Sequence, residues 1–167
     1  MPVPAKMASF LSEADLGAIS QAVGEAESGT AGEIRVHITH NLLPLEKPRA
    51  RAIREFFRLG VDKTQDRTGV LLFFVLKKQR FEIVADQGIH RQVAEGTWEQ
   101  IARGLERVIR EEGLPQGICG GVRQIGQVLA RHFPRSPDDR DELSNEVTFS
   151  EAPPDSPDDT TKQQDKS

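Results

Sequence analysis

Residues 69–76, GVLLFFVL, are apolar at every position; they are followed by the polar turn Lys77-Lys78-Gln79-Arg80, by residues 81–85 (FEIVA), and by Asp86-Gln87-Gly88. A strand with no polar position has to be covered on both faces, so this run marks the centre of a helix-covered sheet. The four-residue turn makes the next strand antiparallel to it. The Asp-x-Gly at the exit of that strand then puts the Asp86 carboxylate at a sheet rim, where α/β folds commonly take ligands.

Upstream, residues 33–39 (EIRVHIT) alternate, with Ile34, Val36 and Ile38 on one face and Glu33, Arg35, His37 and Thr39 on the other, the pattern of a strand covered on one side or flanking the centre. Between the two strands, Pro48 opens a helix whose apolar side is read as Ile53, Phe56 and Phe57, closed by Gly60. Strand, helix, strand implies a right-handed crossover and a parallel pair. An earlier helix starts at Ser12, with Asp15 three residues on as a capping-box variant, and carries Leu16, Ile19, Val23 and Ala26 at helical spacing. Two helices follow the sheet, one striped by Trp98, Ile101, Leu105, Val108 and Ile109, the other by Leu114, Ile118, Val122, Ile125, Leu129 and Phe133. Gly117 and Gly121, one turn apart, are the expected close contacts between them. The fold class is α/β: a three-layer α/β/α sandwich, Rossmann-like, around a small mixed sheet of three to four strands.

The chain has 167 residues, of which 37% are hydrophobic, enough for one core and one domain, residues 9–134. Residues 1–8 read as a disordered N-terminus and 135–167 as a disordered acidic tail rich in Pro, Ser and Asp. The formal net charge is -4, yet the tail alone carries ten acids and four bases, so residues 1–134 stand at +2. Without Tyr and without a concentrated basic footprint, a nucleic-acid binder is excluded. Nothing resembles a signal peptide or a membrane span, and Cys119 stands alone, so the expectation is a cytoplasmic monomer with room for an unidentified protein partner.

Strand direction carries the functional reading. The starts of the parallel strands and the end of the antiparallel one share an edge, so Glu33, the loop bearing Asp62 and Asp66, and Asp86 converge there. Four carboxylates beside glycine turns suit a hard divalent cation, Ca²⁺ or Mg²⁺. Arg67 in the same loop could instead pair with Asp86 or hold a phosphate. Acids at strand ends are also commonly solvated or cap helices, and the Asp62–Asp66 spacing does not follow an EF-hand loop. No nucleophile with an adjoining base stands out; His90 is the nearest acid/base candidate, His37 reads as a polar-face residue and His40 as a loop residue. The row Arg51, Arg54 and Arg58 reads as a solvated helix face. No dinucleotide loop, phosphate loop or serine elbow is present.

The segments FLSEADLGAI, GEIRVHI, LGVDKTQDRTGVLLFFV, VADQGIH, Trp98 and GICGGVRQIGQVLARHFP, in this order over residues 9–134, resemble the stand-alone, soluble bacterial branch of the TPM domain family, long a domain of unknown function. The resemblance implies an α/β/α sandwich around about four strands, one more than the residues themselves show. It also implies bacterial relatives that bind divalent metals, and thylakoid relatives that act in photosystem II repair and are credited with acid phosphatase activity. The chain departs from the secreted and membrane-tethered members in lacking their leader and anchor, and it has Asp86-Gln87-Gly88 where many carry Gly-x-Gly, so envelope and photosynthetic roles do not transfer. The expected function is a divalent-metal-binding or interaction module, with a metal-assisted phosphatase acting on phosphomonoesters as the alternative.

Overall fold

A computed structural model describes residues 3–139 and 142–150. The chain runs α1 (Glu13–Glu27), β1 (Glu33–Thr39), α2 (Pro48–Arg58), β2 (Gly69–Val75), β3 (Arg80–Ala85), the single turn α3 (Gln87–His90), α4 (Thr97–Glu112), α5 (Leu114–His132) and β4 (Thr148–Ser150). The sheet order is β3-β2-β1-β4. β1 lies parallel to β2 with Glu33 opposite Gly69, and β3 lies antiparallel to β2 with Ala85 opposite Val70, as the crossover and the short turn require.

All seven residues of β2 are buried. Val70, Leu72 and Phe74 pack with Ile34, Val36 and Ile38 under α1, α4 and α5, while Leu71, Phe73 and Val75 pack with Ala52, Phe56 and Val61 under α2. These are the three layers of the sandwich, and the larger core lies on the three-helix side. The capping box of α1 is complete: Asp15 N–H donates to Ser12 Oγ at 3.1 Å, and Ser12 N–H to Asp15 Oδ2 at 2.8 Å.

Three expectations change. The fourth strand comes from the segment read as tail: β4 pairs in parallel with His37, Ile38 and Thr39 of β1. Its apolar content is small because its main partners are the polar side chains of β1, so no hydrophobic signal announces it. The rest of that tail, residues 151–167, lies outside the described residues. Residues 5–7 form a 3-10 turn with Met7 fully buried, so the anchored part of the domain begins earlier than residue 9. Finally, α2 is rotated from its expected face. Ile53 and Phe57 are 41% and 55% exposed, whereas Arg51 and Glu55 are buried beside Phe56 and Ala52. The helix turns these two charged residues inward because, beside the apolar face of β2, it also meets the polar side of β1 at His37.

The helices of the larger layer meet at glycines. A Cβ on Gly121 would stand 2.5 Å from Leu105 Cδ1, one on Gly117 would clash with Ile109, and one on Gly126 would lie 2.6 Å from Ala26 Cβ and 3.2 Å from Ala26 Cα. Ala26 has no rotamer to yield with, so Gly126→Ala must separate α1 from α5. The strain of about 1–3 kcal/mol outweighs the ~1 kcal/mol gained in helix propensity. At Gly17 a Cβ meets nothing within 4 Å, and there Ala brings only the propensity gain. Thermal denaturation is expected to show Gly126→Ala below and Gly17→Ala above the parent; the reverse order would refute the close contact of α1 with α5.

Candidate functional site

The rim formed by the starts of β1 and β2 and the end of β3 is built around Asp86. Its carboxylate is 3% exposed and takes a bidentate fork from Arg67, Nε to Oδ2 at 2.8 Å and Nη2 to Oδ1 at 2.9 Å. Asp86 Oδ1 also accepts the Gln87 N–H at 2.7 Å, which caps α3. Arg67 holds a left-handed backbone at φ +56 that brings its side chain to the carboxylate and its carbonyl to the Gly88 N–H at 3.1 Å. Gly88 explains the Asp-x-Gly: a Cβ there would fall 2.5 Å from the Asp66 carbonyl and 2.6 Å from the Arg67 carbonyl. The Asp86 hydrogen bonds, joined by the charges of Asp86 and Asp62, raise the Arg67 pKa above its ordinary value.

Of the two roles open to Arg67, the structure therefore shows the pair with Asp86. The four carboxylates share an edge but not a point. Gly69 pairs with Glu33 on one side and accepts the Asp86 N–H on the other, which sets the two acids two strand spacings, about 9–10 Å, apart. Glu33 is 2% exposed, and its carboxylate accepts the backbone N–H groups of Glu142 and Leu143. Asp66 is exposed. Asp62 is mostly buried, with Lys63 Nζ 3.8 Å from Oδ2, while its Oδ1 is buried and has no hydrogen-bond partner among the described residues. Among the described residues no three His, Cys, Asp or Glu side chains gather closely enough to cage a metal. The donors that remain at the rim, Asp62 and Asp66 with Asp86 behind Arg67, are few enough that a bound ion would keep much of its own water. His90 is exposed at the end of α3 and His40 stands beside Phe10, with ring centroids 6.3 Å apart.

A second polar constellation escaped the sequence reading. His37 is fully buried, not on a solvated face. Its Nδ1 lies 2.7 Å from Thr148 Oγ1, and its Nε2 lies 3.0 Å from Ser150 Oγ and 3.5 Å from Glu55 Oε2. The Thr148 hydroxyl donates to the Val36 carbonyl at 3.3 Å, so its oxygen accepts the Nδ1 proton and Nε2 accepts from Ser150. Arg51, also buried, donates to Glu55 at 3.0 Å, to Glu46 at 3.2 Å and to Ser150 Oγ at 3.3 Å. The arginine row is thus split: Arg54 and Arg58 reach solvent while Arg51 does not, because it neutralises the buried Glu55 and the half-buried Glu46. Burial pushes the Glu55 carboxyl up, but hydrogen bonds from Arg58 and Arg51 outweigh it and leave the group below its usual range. The Ser150 hydroxyl and the His37 base are in contact, but a ring with no exposed surface has no path to a substrate, so the cluster holds the fold together. The only signal for it in the sequence was polar residues at every second position of β1.

Burial drives the His37 pKa down to about 4, more than the nearby Glu55 carboxylate raises it, with Arg58, Arg51 and Arg35 adding to the fall. In the unfolded chain the group titrates near its ordinary 6.5. As pH drops below that, the unfolded state takes up a proton that the folded state refuses. The stabilising contribution is therefore present above about pH 6.5, declines toward pH 4 and levels off below, a loss on the order of 3 kcal/mol. Urea denaturation of the parent and of His37→Gln between pH 7.5 and 4 is expected to show a shallower decline in the variant by that amount; parallel curves would show that His37 does not titrate differently on folding.

With this geometry in hand, comparison with known proteins is direct. The sequence model of the TPM domain matches residues 5–128. The solution structure of BA42, a protein from the psychrophilic bacterium Bizionia argentinensis, is 31% identical, with a TM-score of 0.79 over 84% of this chain and 96% of that one. The N-terminal domain of a P. gingivalis protein, 21% identical, matches 75% of this chain and 80% of its own with a TM-score of 0.62. An N-terminal domain from Corynebacterium glutamicum, 9% identical, gives 0.58 over 77% and 80%; these last two show a shared fold alone. No curated protein sequence matches the chain. The match over residues 5–128, about three quarters of the chain, leads to one conclusion: the chain belongs to the TPM domain family.

Proposed function

We propose that this TPM domain is a divalent-cation-binding module whose ion, Mg²⁺ or Ca²⁺, sits at the Asp86 rim in the place of the Arg67 guanidinium. The observation that carries the reading is the buried Oδ1 of Asp62, unpartnered among the described residues, whose charge acts on the same Arg67 guanidinium that Asp86 holds. A buried carboxylate oxygen without a partner is costly, and a hard cation relieves that cost with few protein ligands because it keeps several waters. Arg67 is the internal competitor: its side chain is 45% exposed, so it can leave Asp86 for solvent. Asp62 and Asp86 then supply carboxylate oxygens and Asp66 adds charge at the mouth. Glu33, engaged by the amides of residues 142 and 143, supports the rim from behind.

Calorimetric titration with Mg²⁺ and Ca²⁺ separates this arrangement from its alternatives. Asp86→Asn keeps an oxygen to cap α3 and should abolish binding; Asp62→Asn should weaken it about tenfold or more; Arg67→Gln, which removes the competitor, should tighten it several-fold. Equal affinities across the parent and all three variants, each checked for folding by circular dichroism, would overturn the site.

The alternative is metal-assisted hydrolysis of phosphomonoesters, a reading supported by the word phosphatase in the family model's name. A cation bound here would supply charge to polarise a phosphate and a water, with Arg67, once released from Asp86, facing the same opening. Turnover of p-nitrophenyl phosphate that requires added Mg²⁺ and falls in Asp66→Asn is the expected result under this reading; turnover without metal, or none, removes it.

A further inference from the structure

A cleft of about 540 Å³ opens at the opposite edge of the sheet, beyond the C-terminal ends of the parallel strands, between the β2–β3 turn and the junction of α4 with α5. That edge is where open α/β sheets present ligand crevices, and the volume is that of a small-molecule site. Its walls are Phe74, Phe81, Ile109 and Leu114, with Phe10 closing one side while 37% exposed. Two cations border the opening, Arg80 from the start of β3 and Arg110 from the last turn of α4. Both are exposed, and neither side chain makes a hydrogen bond or ion pair among the described residues. Glu106 is the one acid in the lining, and it too is unpaired. Two arginines against one glutamate leave a single positive charge over an apolar floor.

We propose that this cleft binds a medium-chain fatty acid, its chain on the phenylalanines and its carboxylate between Arg80 and Arg110. A monoanion matches the charge left at the mouth, and a flexible alkyl chain matches the aromatic and aliphatic walls, in which Gln79 is the one uncharged polar side chain. The guanidinium groups gain the carboxylate partner they otherwise lack. The cleft and the Asp86 rim lie on opposite edges of the sheet, so either can fail without the other.

The test is calorimetry on the full chain with octanoate, decanoate, decanol and decyltrimethylammonium, each below its micellar concentration. Saturable one-to-one binding is expected for the carboxylates, about fourfold tighter for each added methylene, and at least tenfold weaker for decanol. Arg80→Gln/Arg110→Gln should weaken decanoate about tenfold or more, and Glu106→Gln should tighten it; all three positions are exposed, so folding is preserved. Binding of the cationic amphiphile equal to that of decanoate, indifference to the arginine substitutions, or decanoate uptake that appears only with dimerisation in sedimentation would each overturn the proposal. The last outcome would make the cleft a contact between two copies.

Discussion

The polar side of β1 is the constraint on which the rest depends. Glu33, His37 and Thr39 are buried and Arg35 is half-buried, in a strand that has β2 on one flank and helices on both faces. Each needs a partner, since an unpaired polar group in such a place costs about 1–3 kcal/mol. The segment 142–150 provides one for every position. Its amides meet Glu33, the Ser144 carbonyl meets Arg35, the Thr148 and Ser150 hydroxyls meet His37, and the Ser150 carbonyl meets Thr39. β4 is therefore held more by side-chain complementarity than by its three-residue ladder, and α2 has to turn Arg51 and Glu55 inward to complete the same network.

That requirement shapes the outside of the molecule too. With its charged residues directed inward, α2 leaves Ile53 and Phe57 in solvent. On the far side of the sheet the helices behave conventionally: apolar stripes at helical spacing meet an apolar strand face, and glycines let α4 and α1 approach α5 closely. The two layers are thus stabilised differently, one by burial of hydrocarbon alone, the other by a smaller apolar cluster joined to charge-assisted hydrogen bonds around His37.

At the Asp86 rim the backbone does most of the positioning. The left-handed Arg67 and the Cβ-free Gly88 allow the loop after α2 to lie against the first turn of α3, and the bidentate pair closes that contact. The same pair occupies both Asp86 oxygens, so nothing else can bind that carboxylate while Arg67 stays. Proximity along an edge did not bring Glu33 into the group, because β2 stands between it and Asp86.

Local chemistry alone determined a good deal. The all-apolar β2, the alternation of β1, the Ser12 capping box, the helical stripes and the glycine contacts of α5 were readable because each depends on a period of two or 3.6 residues or on a side chain bonding within its own turn. The rim itself was legible, because strand direction is a consequence of connection length. Only the tertiary structure decided which acids face one another, which side of α2 is buried, that His37 is enclosed, and that residues read as tail supply the fourth strand. Those outcomes turn on polar groups finding partners from 19 residues away, as Arg67 and Asp86 do, to more than a hundred, as His37 does, and a hydrogen bond, unlike hydrophobic burial, leaves no periodic trace in the chain at either end.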